Sequence, residues 1–301
     1  MIESSRLPVD ASSFEALRAA NKIYVDKTEL VYRLTRGRGK VIFARPSGFG
    51  KTLLLSTFAS LFEHGLRDFK GLAIEKLWTD EPEQYRIIRL DLSTFADAKS
   101  DSEFRQRFYR ALRDQCGLQG YEKEIANDTF LIYLADWLDE QPGSSLVILI
   151  DDYDFSTSVL KSNAKEYESA RSAILQFYLI LKSTEGSFRF QMLAGKKSYY
   201  RSGYMEMFGD FNNMNDISVD DDYAALGGFT EEEIRQYFKP DLEAAAKRLR
   251  ISDDELMALL RERFGGYSFE EPDFCTSIEK PKSNLFCPAA VVNFLAGQVK
   301  A

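Results

Sequence analysis

Five short runs of β-branched, aromatic and aliphatic residues punctuate the chain, and each reads as a buried strand. They are Lys40-Val41-Ile42-Phe43-Ala44, Tyr85 to Leu92, Ser145-Leu146-Val147-Ile148-Leu149-Ile150, Phe188 to Ala194 and the shortest, Asp216-Ile217-Ser218-Val219. Between them apolar positions recur with helical spacing over residues 52–64, 102–117, 128–140 and 165–183. Strands alternating with helices predict the α/β class, a mostly parallel sheet covered on both faces. Ligands in such sheets sit beyond the carboxyl ends of the strands, so the residues that follow each run are where chemistry is expected.

The strand pattern stops after about residue 228. Thr230-Glu231-Glu232-Glu233 has capping-box spacing, with Phe229 and Ile234 placed as a hydrophobic staple; Ser252-Asp253-Asp254-Glu255 repeats it between Ile251 and Leu256. Helices are expected over 231–238 and 253–264, with another across 241–250. Residues 1–228 therefore read as an α/β core with an N-terminal lead-in, 229–301 as a smaller helical subdomain, and 270–283 as a long loop. Asp26 to Glu29 shows capping-box spacing too, with Val25 and Leu30 as its staple, and a helix start explains it. Leu54, Phe58, Leu61 and Phe62 share one helix face and read as core.

Composition narrows the function classes. The 301 residues are 45% hydrophobic and 29% charged, ordinary for a globular protein. A net charge of −8 does not support a chain whose work is neutralising nucleic-acid phosphates. Cys116, Cys275 and Cys287 are odd in number and far apart, which argues against a disulfide framework or a cysteine metal site and fits a reducing cytoplasm. The first residues lack the apolar run of a signal peptide, and no stretch approaches the ~18 apolar residues of a membrane span. A cytoplasmic protein without a membrane partner is expected. His64 is the only histidine and precedes Gly65 at an expected helix end, so histidine-based catalysis has little to work with.

The chemistry-bearing segment follows the first strand: Arg45-Pro46-Ser47-Gly48-Phe49-Gly50-Lys51-Thr52, leading into Leu53-Leu54-Leu55. Strand, glycine-containing loop and helix is the context a P-loop (Walker A) requires. Amides from Arg45 through Leu53, with Ser47, Gly48, Phe49 and Gly50 between, would face a nucleotide's phosphates at the positive end of a helix. Lys51 would reach the β/γ oxygens and the Thr52 hydroxyl would ligate Mg²⁺. Arg45 stands where the first glycine of G-x-x-x-x-G-K-[ST] belongs, and a bare Gly-Lys-Thr is common in sequences.

A second segment raises its weight. About 100 residues later the third strand runs into Asp151-Asp152-Tyr153-Asp154, a Walker B-like strand end. Asp151 would hold Mg²⁺ through its water shell; Asp152, or alternatively Asp154, would orient or deprotonate the attacking water. Crowded carboxylates repel one another, and a bound cation removes that cost.

These segments resemble the AAA-ATPase-like domain proteins of bacteria, often fused to a C-terminal PD-(D/E)XK nuclease. The resemblance runs from Leu7-Pro8 and Phe14 through Tyr24-Val25-Asp26-Lys27-Thr28, Arg45-Pro46, Phe49-Gly50-Lys51-Thr52 and Ile150-Asp151-Asp152-Tyr153-Asp154. It continues through Asn212-Asn213 and Gly228-Phe229-Thr230-Glu231-Glu232-Glu233 to Gly265-Gly266-Tyr267-Ser268-Phe269 and Pro288. Arg45 in place of glycine is similar to the family's pattern. The resemblance implies a P-loop NTPase of the ASCE/AAA-like type, ATP and Mg²⁺ as ligands, a helical lid containing Gly265-Gly266-Tyr267, and a polar γ-phosphate sensor after the fourth strand. Lys196, Lys197 and Arg201 are sensor candidates.

Three departures matter: Ser47-Gly48 replace basic residues, Asp152 replaces glutamate, and the segment from Gly195 to Arg201 is longer than expected. No nuclease is expected before Ala301, because Pro272-Asp273 and Glu279-Lys280 lack the acid–x–Lys spacing. Adenine rather than guanine rests on the resemblance, since no N-K-x-D-type motif is evident; by its position before the first strand, the Asp26 to Glu29 segment has covering the adenine as its alternative role. The expectation is an ATPase coupling nucleotide state to movement of its helical subdomain, with an unknown protein client and compatible with a homo-oligomer. The alternative is a nucleotide-gated switch or a scaffold with negligible hydrolysis.

Overall fold

All six residues of the segment Leu146–Asp151 are buried, so both faces of this strand are covered, as its uninterrupted apolar run requires. The computed structural model describes residues 6–37, 39–79, 84–127, 129–154, 168–196, 214–269 and 284–299. Within them the strands are β1 (Lys40–Ala44), β2 (Arg86–Asp91), β3 (Leu146–Asp151), β4 (Phe188–Gly195) and β5 (Asn215–Asp216). The helices are α1 (Phe14–Ala19), α2 (Thr28–Gly37), α3 (Lys51–His64), α4 (Asp101–Cys116), α5 (Glu122–Ala126) and α6 (Phe130–Asp139). They continue with α7 (Glu168–Ser183), α8 (Glu231–Tyr237), α9 (Lys239–Leu249), α10 (Asp253–Phe264) and α11 (Pro288–Val299). The chain divides into two compact units, one of residues 35–44 and 82–215, the other of 1–34, 45–81 and 216–301.

The first unit holds the sheet. Its strand order is β2-β3-β4-β1, with β5 beyond β1. The β2–β3, β3–β4 and β4–β1 pairs are all parallel. Asp91 is in register with Asp151, Ile150 with Leu193 and Ala44 with Gly195, so the carboxyl ends of all four strands lie along one edge. Helices flank this sheet, consistent with a P-loop NTPase-like fold. Phe104 and Phe108 of α4 and Phe177 of α7 share a core with Ile88, Ile148 and Ile150. Each such ring or branched chain contributes about 1.5–3 kcal/mol by leaving water. Ser100 caps α4 by accepting from the Glu103 amide, and Gly117 ends it in the left-handed region.

The expected fifth strand is shorter than its apolar residues imply. The Asp216 carboxylate accepts from the Ser218 amide at 2.9 Å, which turns the chain after two residues.

The second unit contains α3, the lead-in and the C-terminal helices. Both capping boxes form: Thr230 and Glu233 open α8, Ser252 and Glu255 open α10. Ile234, Leu242, Leu256 and Leu295 from four helices share a core with Leu7, Ile23 and Val25 of the lead-in. The helix expected after Asp26 exists, but by a different device. Asp26 accepts from the Thr28 amide at 2.8 Å and the Thr28 hydroxyl at 2.6 Å, while its own amide donates to the Tyr237 hydroxyl. Glu29 pairs with Arg33 one turn on. Among the described residues no helix is long and apolar enough to cross a membrane.

Candidate functional site

Immediately after β1, Arg45 turns its side chain inward. Its guanidinium donates to the carbonyls of Ser218 (2.6 Å) and Ala224 (3.2 Å) and lies 4.2 Å from the Phe269 ring centroid. Burial pushes its pKa down to about 10 against the opposing pull of Asp216, so the group stays charged at neutral pH. Pro46, Ser47 and Gly48 then pass through solvent, and Phe49 dives in between Tyr267 and Phe269, with ring centroids 4.9 and 5.3 Å away. Gly48 (φ 87°) and Gly50 (φ 81°) adopt the left-handed region, which costs a side-chain-bearing residue about 1–2 kcal/mol.

Gly50 is the N-cap of α3 and brings no side chain to its first turn, which also lacks an acidic residue. The amides there are oriented for an anion, at the positive end of the helix dipole. Lys51 is 7% exposed, and its ammonium folds back to donate to the carbonyls of Arg45 (2.9 Å) and Pro46 (3.2 Å). The charge is thus held over the loop, shielded from bulk water. Thr52 is exposed and Leu53 half-buried.

The loop opens on a cavity of about 450 Å³, within the range of small-molecule sites. Gly48 to Leu54 form its floor. Ile23, Tyr24, Val25 and Lys27 of the lead-in form one wall, Pro288, Ala289, Val292 and Asn293 of α11 another. Arg45 and Ser47 do not line it. The Gly48 carbonyl accepts from the Ala289 amide at 3.1 Å, so loop and α11 share a hydrogen bond. A Cβ on Gly48 would meet the Cys287 sulfur at 3.0 Å and the Ala289 Cβ at 3.3 Å.

The carboxylates belong to the sheet-bearing unit. Asp151 ends β3, is 7% exposed and accepts from the Asp152 amide at 2.9 Å. Asp152 is half-buried with φ 47°, a conformation aspartate tolerates better than most residues. Asp154 is 8% exposed, and both its oxygens accept from the Lys196 amide at 3.1 Å, which ties the end of β3 to the end of β4. Gly195 makes that approach feasible: a Cβ there would lie 2.6 Å from the Tyr153 ring and 2.7 Å from Asp154 Oδ1.

The loop residues Gly48, Phe49, Gly50, Lys51, Thr52 and Leu53 therefore share one cavity, and Asp151, Asp152 and Asp154 share one strand end. Lys197, Arg201, Asn212 and Asn213 lie outside the described residues, as do Cys275 and the segment 270–283. Lys196 is described, and its amide serves Asp154. The Asp26 to Glu29 segment, which its sequence position allows to cover a ligand, does bring Lys27 to the cavity lining, whereas nothing but a glycine after an apolar strand signals the contact at Gly195. Among the described residues no group of three or more His, Cys, Asp or Glu is placed to hold a metal. A magnesium site made of a hydroxyl, one carboxylate and phosphate oxygens needs no such group.

A family model described as "Predicted AAA-ATPase" matches residues 8–202. A curated relative, "Uncharacterized protein in vnfD 5'region" of Azotobacter chroococcum mcd 1, is 28% identical over 241 residues, 79% of this chain. That alignment spans 45% of the relative's own length. No solved structure matches.

Proposed function

The chain belongs to the predicted AAA-ATPase family, and from that premise we propose that it binds ATP·Mg²⁺ in the loop-floored cavity, hydrolyses it, and couples occupancy to its helical part. The observation that carries the reading is the Lys51 ammonium, dehydrated against the Arg45 and Pro46 carbonyls beside two left-handed glycines and an uncapped helix start.

In this reading the amides of residues 48–53 bind the phosphates and Lys51 moves from its loop carbonyls to the β/γ oxygens. The apolar wall of Ile23, Val25 and Val292 takes the flat base. The donor set is hard oxygen, which suits magnesium: the Thr52 hydroxyl and, through water, Asp151 would hold the ion, which neutralises charge on the phosphate oxygens. Asp152 orients the attacking water and takes its proton as the γ-phosphoryl leaves ADP. Asp154 positions this strand end through Lys196. Displacement of the Gly48 carbonyl or Phe49 would reach α11 and the Tyr267–Phe269 segment directly.

One feature favours the alternative of a switch with negligible turnover: Asp152 is a methylene shorter than glutamate and sits on a left-handed backbone. Phosphate release with saturating ATP and Mg²⁺ separates the two, with Lys51→Ala alongside. Calorimetric titration with a non-hydrolysable ATP analogue tests the site itself; binding by wild type no tighter than by Lys51→Ala ends the proposal.

A further inference from the structure

Within the cavity wall, one cation is not accounted for by the loop chemistry. Among the described residues Lys27 and Lys51 are the basic residues that line the cavity, and the Lys27 side chain is only 10% exposed. It forms an ion pair with Glu233, whose other oxygen accepts from the Thr230 amide at 2.9 Å in the capping box that starts α8. Its neighbour Asp26 is bonded to Tyr237 on the same helix, so the lead-in is fastened to α8 at two points.

A single carboxylate shared with a helix cap is a meagre counter-charge for a nearly buried ammonium. Burial lowers the Lys27 pKa even though Glu233 and Asp26 both act to raise it. An anion entering the cavity would supply what the carboxylate does not, because charge-assisted contacts strengthen where water is excluded.

Resting on the nucleotide reading of this cavity, we propose that Lys27 is a second phosphate-chain cation, paired with Glu233 before the ligand enters and drawn to the ligand on binding. Lys51 grips the end of the chain at the helix start, and Lys27 reads negative charge from the lead-in wall. Loss of the Lys27–Glu233 pair on binding loosens one of the two fastenings between the lead-in and α8. Occupancy is thereby linked to the helical part by a route separate from Gly48 and Phe49.

The test is calorimetric titration of the whole chain with adenosine, AMP, ADP and a non-hydrolysable ATP analogue. Lys27→Met is expected to weaken the ATP analogue and ADP by about tenfold, one charge-assisted hydrogen bond, while leaving adenosine within about twofold. Lys27→Arg should recover most of the loss. Glu233→Gln keeps the capping box, since glutamine serves at that position, and should tighten the ATP analogue several-fold by releasing the lysine. An equal loss across all four ligands, or no loss, overturns the proposal, as does Glu233→Gln binding no tighter than wild type. Should Lys27→Met fail to fold, Glu233→Gln decides alone. Lys51→Ala is the control: if wild type binds and Lys51→Ala does not, a flat response at Lys27 sinks only this inference. If wild type binds no nucleotide, both fall.

Discussion

The guanidinium of Arg45 lies 4.2 Å from the ring of Phe269, 224 positions further along the chain. With the Ser218 and Ala224 carbonyls it makes Arg45 a fastener for the start of the phosphate loop, and this explains why an arginine can stand where a P-loop usually has glycine. Arg45→Ala should cost about 3 kcal/mol, from two charge-assisted hydrogen bonds and a cation–π contact at a buried site. Urea denaturation measures this. A change under about 0.5 kcal/mol would mean that the loop is held elsewhere.

Gly195 faces a different constraint. Its backbone is packed against Tyr153 and Asp154, so Gly195→Ala should destabilise by about 2 kcal/mol through overpacking. Gly186→Ala, where nothing lies within 4 Å of the added carbon, is the matched control. Equal thermal shifts for the two variants would refute the close approach.

Asp152→Asn isolates the proposed water-handling role. Asparagine accepts a left-handed backbone as readily as aspartate, so the turn should survive. Turnover should fall by about 100-fold or more while ATP binding persists. Unchanged turnover would move the role to Asp154, despite the engagement of that carboxylate by the Lys196 amide.

Burial pushes the Cys116 thiol up to about 12, with Arg86 acting weakly the other way. The unfolded thiol ionises near pH 8.5. Above that value the native state keeps a proton that the unfolded chain has lost, so this contribution is intact below about pH 8.5 and declines as pH rises towards 12. At pH 10 the wild type should have lost about 2 kcal/mol relative to Cys116→Ala, compared with their difference at pH 7.5. Urea midpoints of the two proteins across this range provide the measurement; parallel curves would mean that the thiol meets water.

What was legible in the sequence was local. β1 runs over the same five residues that its apolar run marks, and both C-terminal capping boxes form because their partners are three residues apart. The loop and the acidic strand end were readable for the same reason, being short contiguous patterns. α11 was not anticipated: its sequence is apolar nearly all round, so it lacks the stripe that marks a surface helix. The Lys27–Glu233 pair and the close approach of Tyr153 and Asp154 to Gly195 are not legible in spacing, because only the folded chain brings these partners together. The fifth strand is shorter than its residues imply because an Asx turn at Asp216 outweighs the β-propensity of Ile217 and Val219.

Anchorage at Arg45 on one side, and at the Gly48 carbonyl and Phe49 on the other, leaves Pro46 and Ser47 as a two-residue bridge between fixed piers, open to water along its length. Ser47 falls on that bridge and does not line the cavity. Ser47 can therefore be exchanged for a residue of different charge without shifting either pier. Such exchanges would change the charge carried beside the start of α3 while the loop's length and footing stay the same.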